Sequence, residues 1–150
     1  MANTYSNLLY HAVFSTKNRL PLILTSFKGG LYSYIGGIIR NQKASLIEIG
    51  GMPDHVHLLM KLKTDKAVSD ILRHIKGGSS KWINDHSKNK LKFAWQDGYG
   101  VFTVSESQIE GVTHYIRNQV EHHSRKNFQE EYLDFLKRHH IEFDERYLWN

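Results

Sequence analysis

The chain has 150 residues, of which 40% are hydrophobic and 23% are charged, and its formal net charge is +5. This length and composition are typical of one soluble globular domain with a real core. The sequence contains no cysteine, which excludes disulfides and thiolate metal sites. It also has no apolar stretch of membrane-spanning length and no signal peptide, so a cytoplasmic location and no membrane partner are expected.

The positive charge is concentrated in one part of the chain. Residues 61–92 contain nine Lys or Arg and three Asp, whereas residues 105–150 contain six basic and nine acidic residues. A basic segment suits a polyanionic partner such as nucleic acid. A solvated, lysine-rich face explains the same pattern, so the charge leaves both interpretations open.

The first two thirds of the chain predict alternating strands and helices. Runs rich in apolar, aromatic and β-branched residues predict four strands, at residues 5–16, 44–49, 55–62 and 101–104. Two stretches with apolar residues at helical spacing separate them: one begins near Thr25 or Ser26, and the other runs from Val68 to Ile83. The order β-α-β-β-α-β predicts an α+β fold of the ferredoxin-like or RRM-like kind, with two helices on one face of an antiparallel sheet. We expect the other face to be open to nucleic acid.

The third predicted strand carries two histidines on one face. It follows the turn at residues 50–54, and from there His55 and His57 point to one side while Val56 and Leu58 point to the other. Two imidazoles at this spacing can converge on one metal ion or one phosphate. The same spacing also occurs on an ordinary polar sheet surface, so a third ligand is needed to support a metal site.

The second predicted helix carries basic side chains away from its apolar face, and Arg73, Lys76 and Lys81 are its candidate DNA contacts. Gly77 and Gly78 lie among them and would let a sugar-phosphate backbone come close. A simple kink is the alternative reading of these glycines. A polar loop is predicted from His86 to Lys92.

Residues 105–123 predict one continuous helix. Its apolar residues recur at helical spacing and should form the buried side: Ile109, Val112, Thr113, Ile116 and Val120. Tyr115, Gln119 and His122 share a narrow stripe away from that side. An exposed tyrosine with an amide one turn later is unusual for pure packing, although many surface helices carry one tyrosine.

The histidine strand and this helix together predict a catalytic site. His55, His57 and the Gln119 amide oxygen would give three ligands, and mixed nitrogen and oxygen ligands favour Mg²⁺ or Mn²⁺, although zinc also accepts them. Such an ion could polarise a phosphodiester. Tyr115, one turn from Gln119, could then attack it. Covalent attack by tyrosine keeps the energy of the diester in a protein-DNA bond, which permits strand transfer rather than plain hydrolysis.

The last predicted helix begins at Asn127, which with Glu130 fits a capping box. Its apolar residues are Phe128, Tyr132, Phe135 and Leu136. Four histidines are interpreted as solvent or phosphate contacts rather than ligands: His122, His123, His139 and His140. No role is predicted for His11 or His74. The tail at residues 141–149 is apolar enough to pack on the domain or across a dimer interface.

Two motifs resemble those of the single-tyrosine HUH transposases, the insertion-sequence family of the IS200 type that includes the REP-associated tyrosine transposases. One is Gly51-Met52-Pro53-Asp54-His55-Val56-His57, with its His-hydrophobic-His core, and the other is Tyr115-Ile116-Arg117-Asn118-Gln119. The resemblance covers nearly the whole chain. We therefore expect residues 1–150 to form a single transposase domain, with core sheet and helices at about 5–104 and the tyrosine helix and last helix at about 105–150.

This resemblance implies a homodimer that excises and inserts single-stranded DNA at hairpins near the element ends. It implies that Tyr115 forms a 5′-phosphotyrosine bond, in cis or on the partner's histidines, and that His55, His57 and Gln119 hold the metal. Two alternatives stay open. One is a hairpin-binding module without catalysis, and the other is a domesticated relative that acts on chromosomal palindromic repeats.

Overall fold

The computed structural model describes residues 3–87 and 91–149. The strands are β1 (Leu8–Ser15), β2 (Ser45–Met52), β3 (His55–Leu62) and β4 (Gly100–Val104). The helices are α1 (Thr25–Asn41), α2 (Val68–His86), α3 (Ile109–Arg117), α4 (Gln119–His123), α5 (Phe128–Arg138) and α6 (Glu145–Leu148). Short 3-10 turns lie at Lys17–Arg19 and Glu106–Gln108. The middle of the predicted polar loop between His86 and Lys92 lies outside the described residues.

The four strands form one antiparallel sheet in the order β2-β3-β1-β4. This order is that of a ferredoxin-like sheet, so the predicted α+β fold is confirmed. Strand β3 lies inside the sheet, where His57 pairs with Val13 of β1 on one side and with Gly50 of β2 on the other. The two histidines therefore lie on a central strand of the sheet and not on an edge strand.

Helices α1 and α2 cover one face of the sheet. Every second side chain of β3 joins them in one apolar core: Val56, Leu58, Met60 and Leu62. The two helices approach each other closely at two glycines, because a Cβ on Gly30 would lie 3.0 Å from Trp82 and one on Gly78 would lie 2.9 Å from Ile38. These glycines serve helix packing, which explains their presence inside helices without a DNA backbone.

The opposite face of the sheet is covered as well, so the expectation of an open face is wrong. Val13 and Phe102 of the sheet pack there against a row of α5 side chains: Phe128, Tyr132, Phe135 and Leu136. His55 and His57 lie on this face and are completely buried. The cause is the apolar side of α5, which has to be buried against another element.

The predicted helix at residues 105–123 is broken. Asn118 separates α3 from α4 with φ −101° and ψ 34°, and its side-chain amide donates to the His114 carbonyl at 2.8 Å. The break turns α4 relative to α3. Gln119 is consequently 2% exposed, whereas Val120, predicted on the buried side, is 73% exposed.

The C-terminal part folds back on the domain. The predicted capping box of Asn127 and Glu130 is present at the start of α5. In the tail, the Trp149 ring lies 6.0 Å from the Tyr132 ring and 5.3 Å from the Arg19 guanidinium. Among the helices in the described part of the chain, none combines the length and the apolar character of a transmembrane span.

Helix α3 lies so close to β2 that only glycine fits at position 50. A Cβ on Gly50 would lie 2.4 Å from the Ile116 carbonyl oxygen. We expect Gly50→Ala to push α3 from the sheet and to lower the free energy of unfolding in urea by about 1–3 kcal/mol. Gly29→Ala is the control: nothing lies within 4 Å of a Cβ there, and alanine should stabilise the α1 interior by up to about 1 kcal/mol. Unchanged stability of Gly50→Ala would contradict the close contact.

Candidate active site

The candidate site lies between the sheet and the helices α3 to α5. Four elements supply its side chains: His55 and His57 from β3, Tyr115 from α3, Gln119 and His123 from α4, and Glu131 from α5. The structure thus brings the predicted nucleophile and the three predicted metal ligands together within one chain. It adds two residues, His123 and Glu131, that the prediction did not include.

The carboxylate of Glu131 is at the centre of the site and is 2% exposed. Its Oε1 lies 3.0 Å from His57 Nε2 and 3.5 Å from His55 Nε2, and its Oε2 accepts a hydrogen bond from the Tyr115 hydroxyl. Burial raises the pKa of Glu131, but hydrogen bonds from His123 and His57 outweigh burial and hold this pKa well below its usual range. Glu131 is therefore a buried anion.

Both β3 histidines direct Nε2 towards the centre, because Nδ1 of each ring has another partner. His55 Nδ1 donates to Asp54 Oδ1 at 2.7 Å, since a carboxylate can only accept. His57 Nδ1 lies 2.9 Å from His11 Nε2. Burial lowers the pKa of His11 to about 3, so this third histidine is neutral.

The orientation of the Gln119 amide is fixed by its neighbours. Its Nε2 donates to the Tyr115 carbonyl at 3.2 Å, which leaves Oε1 facing His55 Nε2 at 3.1 Å and His123 Nε2 at 3.0 Å. In its neutral form His55 carries its proton on Nδ1, so its Nε2 lone pair points at the oxygens of Gln119 and Glu131. Lone pairs that converge without a proton between them are suited to a cation.

These donors fit a divalent metal ion. His55, His57, His123 and Glu131 each offer one ligand atom, and the four atoms lie within 4.8 Å of one another. Imidazole nitrogen and carboxylate oxygen, without sulfur, are common ligands of divalent metal ions. The cluster could therefore hold a divalent metal ion, as the sequence predicted.

The prediction that His123 contacts solvent or phosphate is wrong, because its side chain is almost fully buried beside Glu131. Burial disfavours the imidazolium, but the hydrogen bond to Glu131 raises the pKa of His123. The sequence did contain a signal for Glu131. It lies three residues after Phe128 and four before Phe135, so it places a carboxylate on the apolar stripe of α5.

Tyr115 is held with its hydroxyl in the cluster. Its Oη donates to Glu131 and lies 3.0 Å from His122 Nε2. Burial, and next to it the charge of Glu131, raise the pKa of Tyr115, so the side chain is a neutral phenol. A neutral phenol needs a proton acceptor before it can act as a nucleophile, and Glu131 Oε2 already occupies that position.

A cleft of about 250 Å³ borders the Tyr115 ring. Basic and polar side chains of α3, α4 and the following turn line it: His114, Asn118, His122 and Arg125. Glu121 is the acidic residue in the same wall. The cleft gives a ligand access to the tyrosine from this side.

Arg73 and Lys81, two of the three predicted DNA contacts, lie on the surface of α2. Arg73 pairs with Asp70 at 3.3 Å and Lys81 with Asp85 at 2.8 Å, and all four side chains are exposed. Helix α2 covers the other face of the sheet, so the structure does not bring these cations to Tyr115.

Lys76, the third predicted DNA contact, has a different environment. Its ammonium donates to the carbonyls of Asp97 at 3.0 Å and Gly98 at 2.8 Å. Burial lowers the pKa of Lys76, although the charge of Asp97 acts in the opposite direction. Lys76 therefore tethers the segment before β4 to α2.

Comparison with known proteins shows what this chain is similar to. A family model described as "Transposase IS200 like" matches residues 4–119. The ISDra2 transposase TnpA of Deinococcus radiodurans is 29% identical over 117 residues, which cover 75% of this chain and 84% of that protein. The transposase for insertion sequence element IS200 of Salmonella typhimurium is 28% identical over 130 residues, which cover 81% of this chain and 82% of that protein.

Two solved structures share the fold. One is the crystal structure of a protein described as a transposase from Deinococcus radiodurans. It matches this chain with a TM-score of 0.65 and 27% sequence identity, over 79% of this chain and 95% of that one. A REP-associated tyrosine transposase bound to a REP hairpin has a TM-score of 0.59 and 18% identity, with 79% and 70% covered. At this lower identity the second likeness concerns the fold alone.

Removing the charge of Glu131 should weaken metal binding. We expect Glu131→Gln to lower the affinity for Mn²⁺, measured by titration calorimetry without DNA, by about tenfold or more, because an anionic oxygen is lost from the cluster. Glu130→Gln is the matched control. Glu130 is the exposed neighbour that takes part in the α5 capping box, so its change should affect stability slightly and Mn²⁺ affinity not at all. Equal affinities for Glu131→Gln and the unaltered chain would contradict this role.

Proposed function

Because the chain belongs to the family of IS200-like transposases, we propose that it cleaves and rejoins single-stranded DNA through a covalent bond to Tyr115. One observation carries this proposal. The Tyr115 hydroxyl and His57 Nε2 contact the same Glu131 carboxylate. The proposed nucleophile therefore lies beside the residues that could hold the metal ion, and metal-dependent attack on a phosphate requires this proximity.

The proposed metal ligands are His55, His57 and Gln119, with Glu131 as a further oxygen donor. Mg²⁺ or Mn²⁺ bound by them would polarise the scissile phosphodiester and stabilise the charge that develops on its oxygens. The orientation of these side chains suits metal binding. Both histidines present Nε2, and Gln119 presents Oε1 because its amide nitrogen is bound to a backbone carbonyl.

Tyr115 is the proposed nucleophile. Its Oη forms a bond to the scissile phosphorus, and the bond between that phosphorus and the 3′ oxygen breaks. The phenol proton passes to Glu131 Oε2, which already accepts its hydrogen bond, and the 3′ oxygen takes up a proton from solvent and leaves as a hydroxyl. A second 3′-hydroxyl can then attack the 5′-phosphotyrosine, which joins the strands and restores Tyr115.

The proposed DNA partner is a single strand with hairpin ends. The REP-associated tyrosine transposase of the same fold was solved with a REP hairpin. In this chain, exposed Arg73 and Lys81 lie on the face opposite Tyr115, so hairpin binding and cleavage would use different faces of the sheet. We propose a homodimer as the assembly. The ring centroids of Tyr115 and His57 are 5.6 Å apart within one chain, so each protomer could form its own site in cis.

The covalent step can be tested by removing one oxygen atom. The chain is incubated with Mn²⁺ and with labelled single-stranded DNA that flanks its own coding sequence. We expect a labelled protein-DNA adduct that persists on a denaturing gel. Tyr115→Phe should give no adduct yet bind the DNA like the unaltered chain, because only the hydroxyl is lost. A chelator should also abolish the adduct.

Tyr147→Phe serves as the control for this experiment, since Tyr147 is exposed and lies outside the cluster. It should form the adduct normally. An adduct that persists in Tyr115→Phe would show that another residue is the nucleophile. Tight binding without any adduct, over several hairpin substrates and metals, would instead support a binding module without catalysis.

A further inference from the structure

The Nδ1 atoms of the two β3 histidines, which face away from the cluster, have two different kinds of partner. His55 Nδ1 bonds to the Asp54 carboxylate at 2.7 Å, and His57 Nδ1 lies 2.9 Å from Nε2 of His11 on β1. We propose that His11 and Asp54 are positioning residues that orient the rings of His57 and His55 so that each presents Nε2 to the metal ion. This inference rests on the proposed function, because it concerns the metal site.

The fold leaves His11 little freedom to do anything else. It is a diagonal neighbour of His57 on the adjacent antiparallel strand and faces the same side of the sheet. It is 4% exposed. The rings of Phe135 and Phe102 stand edge-on to it at 5.1 and 6.5 Å. A polar ring enclosed in this way needs a hydrogen-bond partner, and the partner is the nitrogen of His57 that faces away from the cluster.

The chemistry of a metal-bound imidazole requires such partners. The ligating nitrogen must present a lone pair, so the proton sits on the other ring nitrogen, and an acceptor placed there fixes both the tautomer and the ring orientation. Asp54 is an acceptor for His55 in every state. His11 itself is not among the residues whose ligand atoms cluster around the site, so it acts through His57.

An imidazole at position 11 suits His57 better than a carboxylate would. Without metal, His57 Nε2 lies 3.0 Å from a carboxylate oxygen of Glu131, so a neutral His57 carries its proton on Nε2 and accepts at Nδ1. With an ion on Nε2, the proton of His57 is on Nδ1 and is donated. The His11 ring can donate in the first state and accept in the second, whereas a carboxylate can only accept. His11 thus keeps His57 in place in both states.

The test is the affinity for Mn²⁺, measured by titration calorimetry on the full chain without DNA. His11→Phe keeps an aromatic ring between Phe102 and Phe135 but removes the nitrogen, and the affinity should fall by about 10- to 100-fold. His11→Gln places an amide near the position of Nε2 and should restore most of the affinity. His139→Phe is the control. The His139 ring stacks on Phe102 at 4.5 Å, and its replacement should leave the affinity unchanged.

Asp54 supplies a second, independent pair of variants. Asp54→Ala should lower the Mn²⁺ affinity over the same range as His11→Phe, and Asp54→Asn, which keeps an acceptor oxygen, should lower it less. This pair decides the question if His11→Phe does not fold. The melting temperature of each variant without metal separates loss of fold from loss of ligand orientation.

The outcomes distinguish this inference from the proposed function. If the unaltered chain binds Mn²⁺ and both His11→Phe and Asp54→Ala bind it equally well, the inference is overturned while the proposed function stands. If His11→Gln loses as much affinity as His11→Phe, His11 has only a packing role and the inference is again overturned. If the unaltered chain binds no Mn²⁺, the metal-dependent function fails together with the inference.

Discussion

A buried carboxylate surrounded by imidazoles is the interaction on which the whole site depends. An unpaired charge at the position of Glu131 would be very costly, and the hydrogen bonds that compensate it come from β3, α3 and α4. Helix α5 can bring Glu131 there because its apolar residues pack on the sheet beside it. The packing of α5 on the sheet and the assembly of the site therefore depend on each other. The same contacts place the Tyr115 hydroxyl among the histidines.

The two faces of the sheet have different roles: one packs in the main hydrophobic core, and the other carries the candidate site. On one face, β3 contributes only apolar side chains to the core with α1 and α2. On the other face, the same strand contributes His55 and His57, and helices α3, α4 and α5 enclose them. Gly50 links the two functions, because its missing side chain lets α3 lie directly on β2. The position of Tyr115 thus depends on a backbone contact far from its hydroxyl.

Much of this arrangement could be predicted from the sequence, because it rests on local patterns. The alternation of side chains from His55 onwards predicted β3 and placed its two histidines on one face. The order of strands and helices predicted an antiparallel sheet. The spacing of Tyr115 and Gln119 indicated a shared site, but the continuous helix was wrong, because a side-chain cap at Asn118 breaks it and turns Gln119 inwards. The position of Glu131 on the apolar stripe of α5 indicated that its carboxylate is buried, but its partner His57 lies 74 residues away, so the contact itself depends on the fold. The carbonyl partners of Lys76, at Asp97 and Gly98, likewise depend on the fold and leave no local pattern in the sequence.

We propose that one buried cluster of β3 histidines, Gln119 and Glu131 binds the ion beside Tyr115. Anomalous diffraction from a crystal of the chain grown with Mn²⁺ tests this most directly. We expect a peak in contact with Nε2 of His55 and of His57 and with an oxygen of Glu131. A peak bound elsewhere, or no peak in the cluster at saturating Mn²⁺, would contradict it.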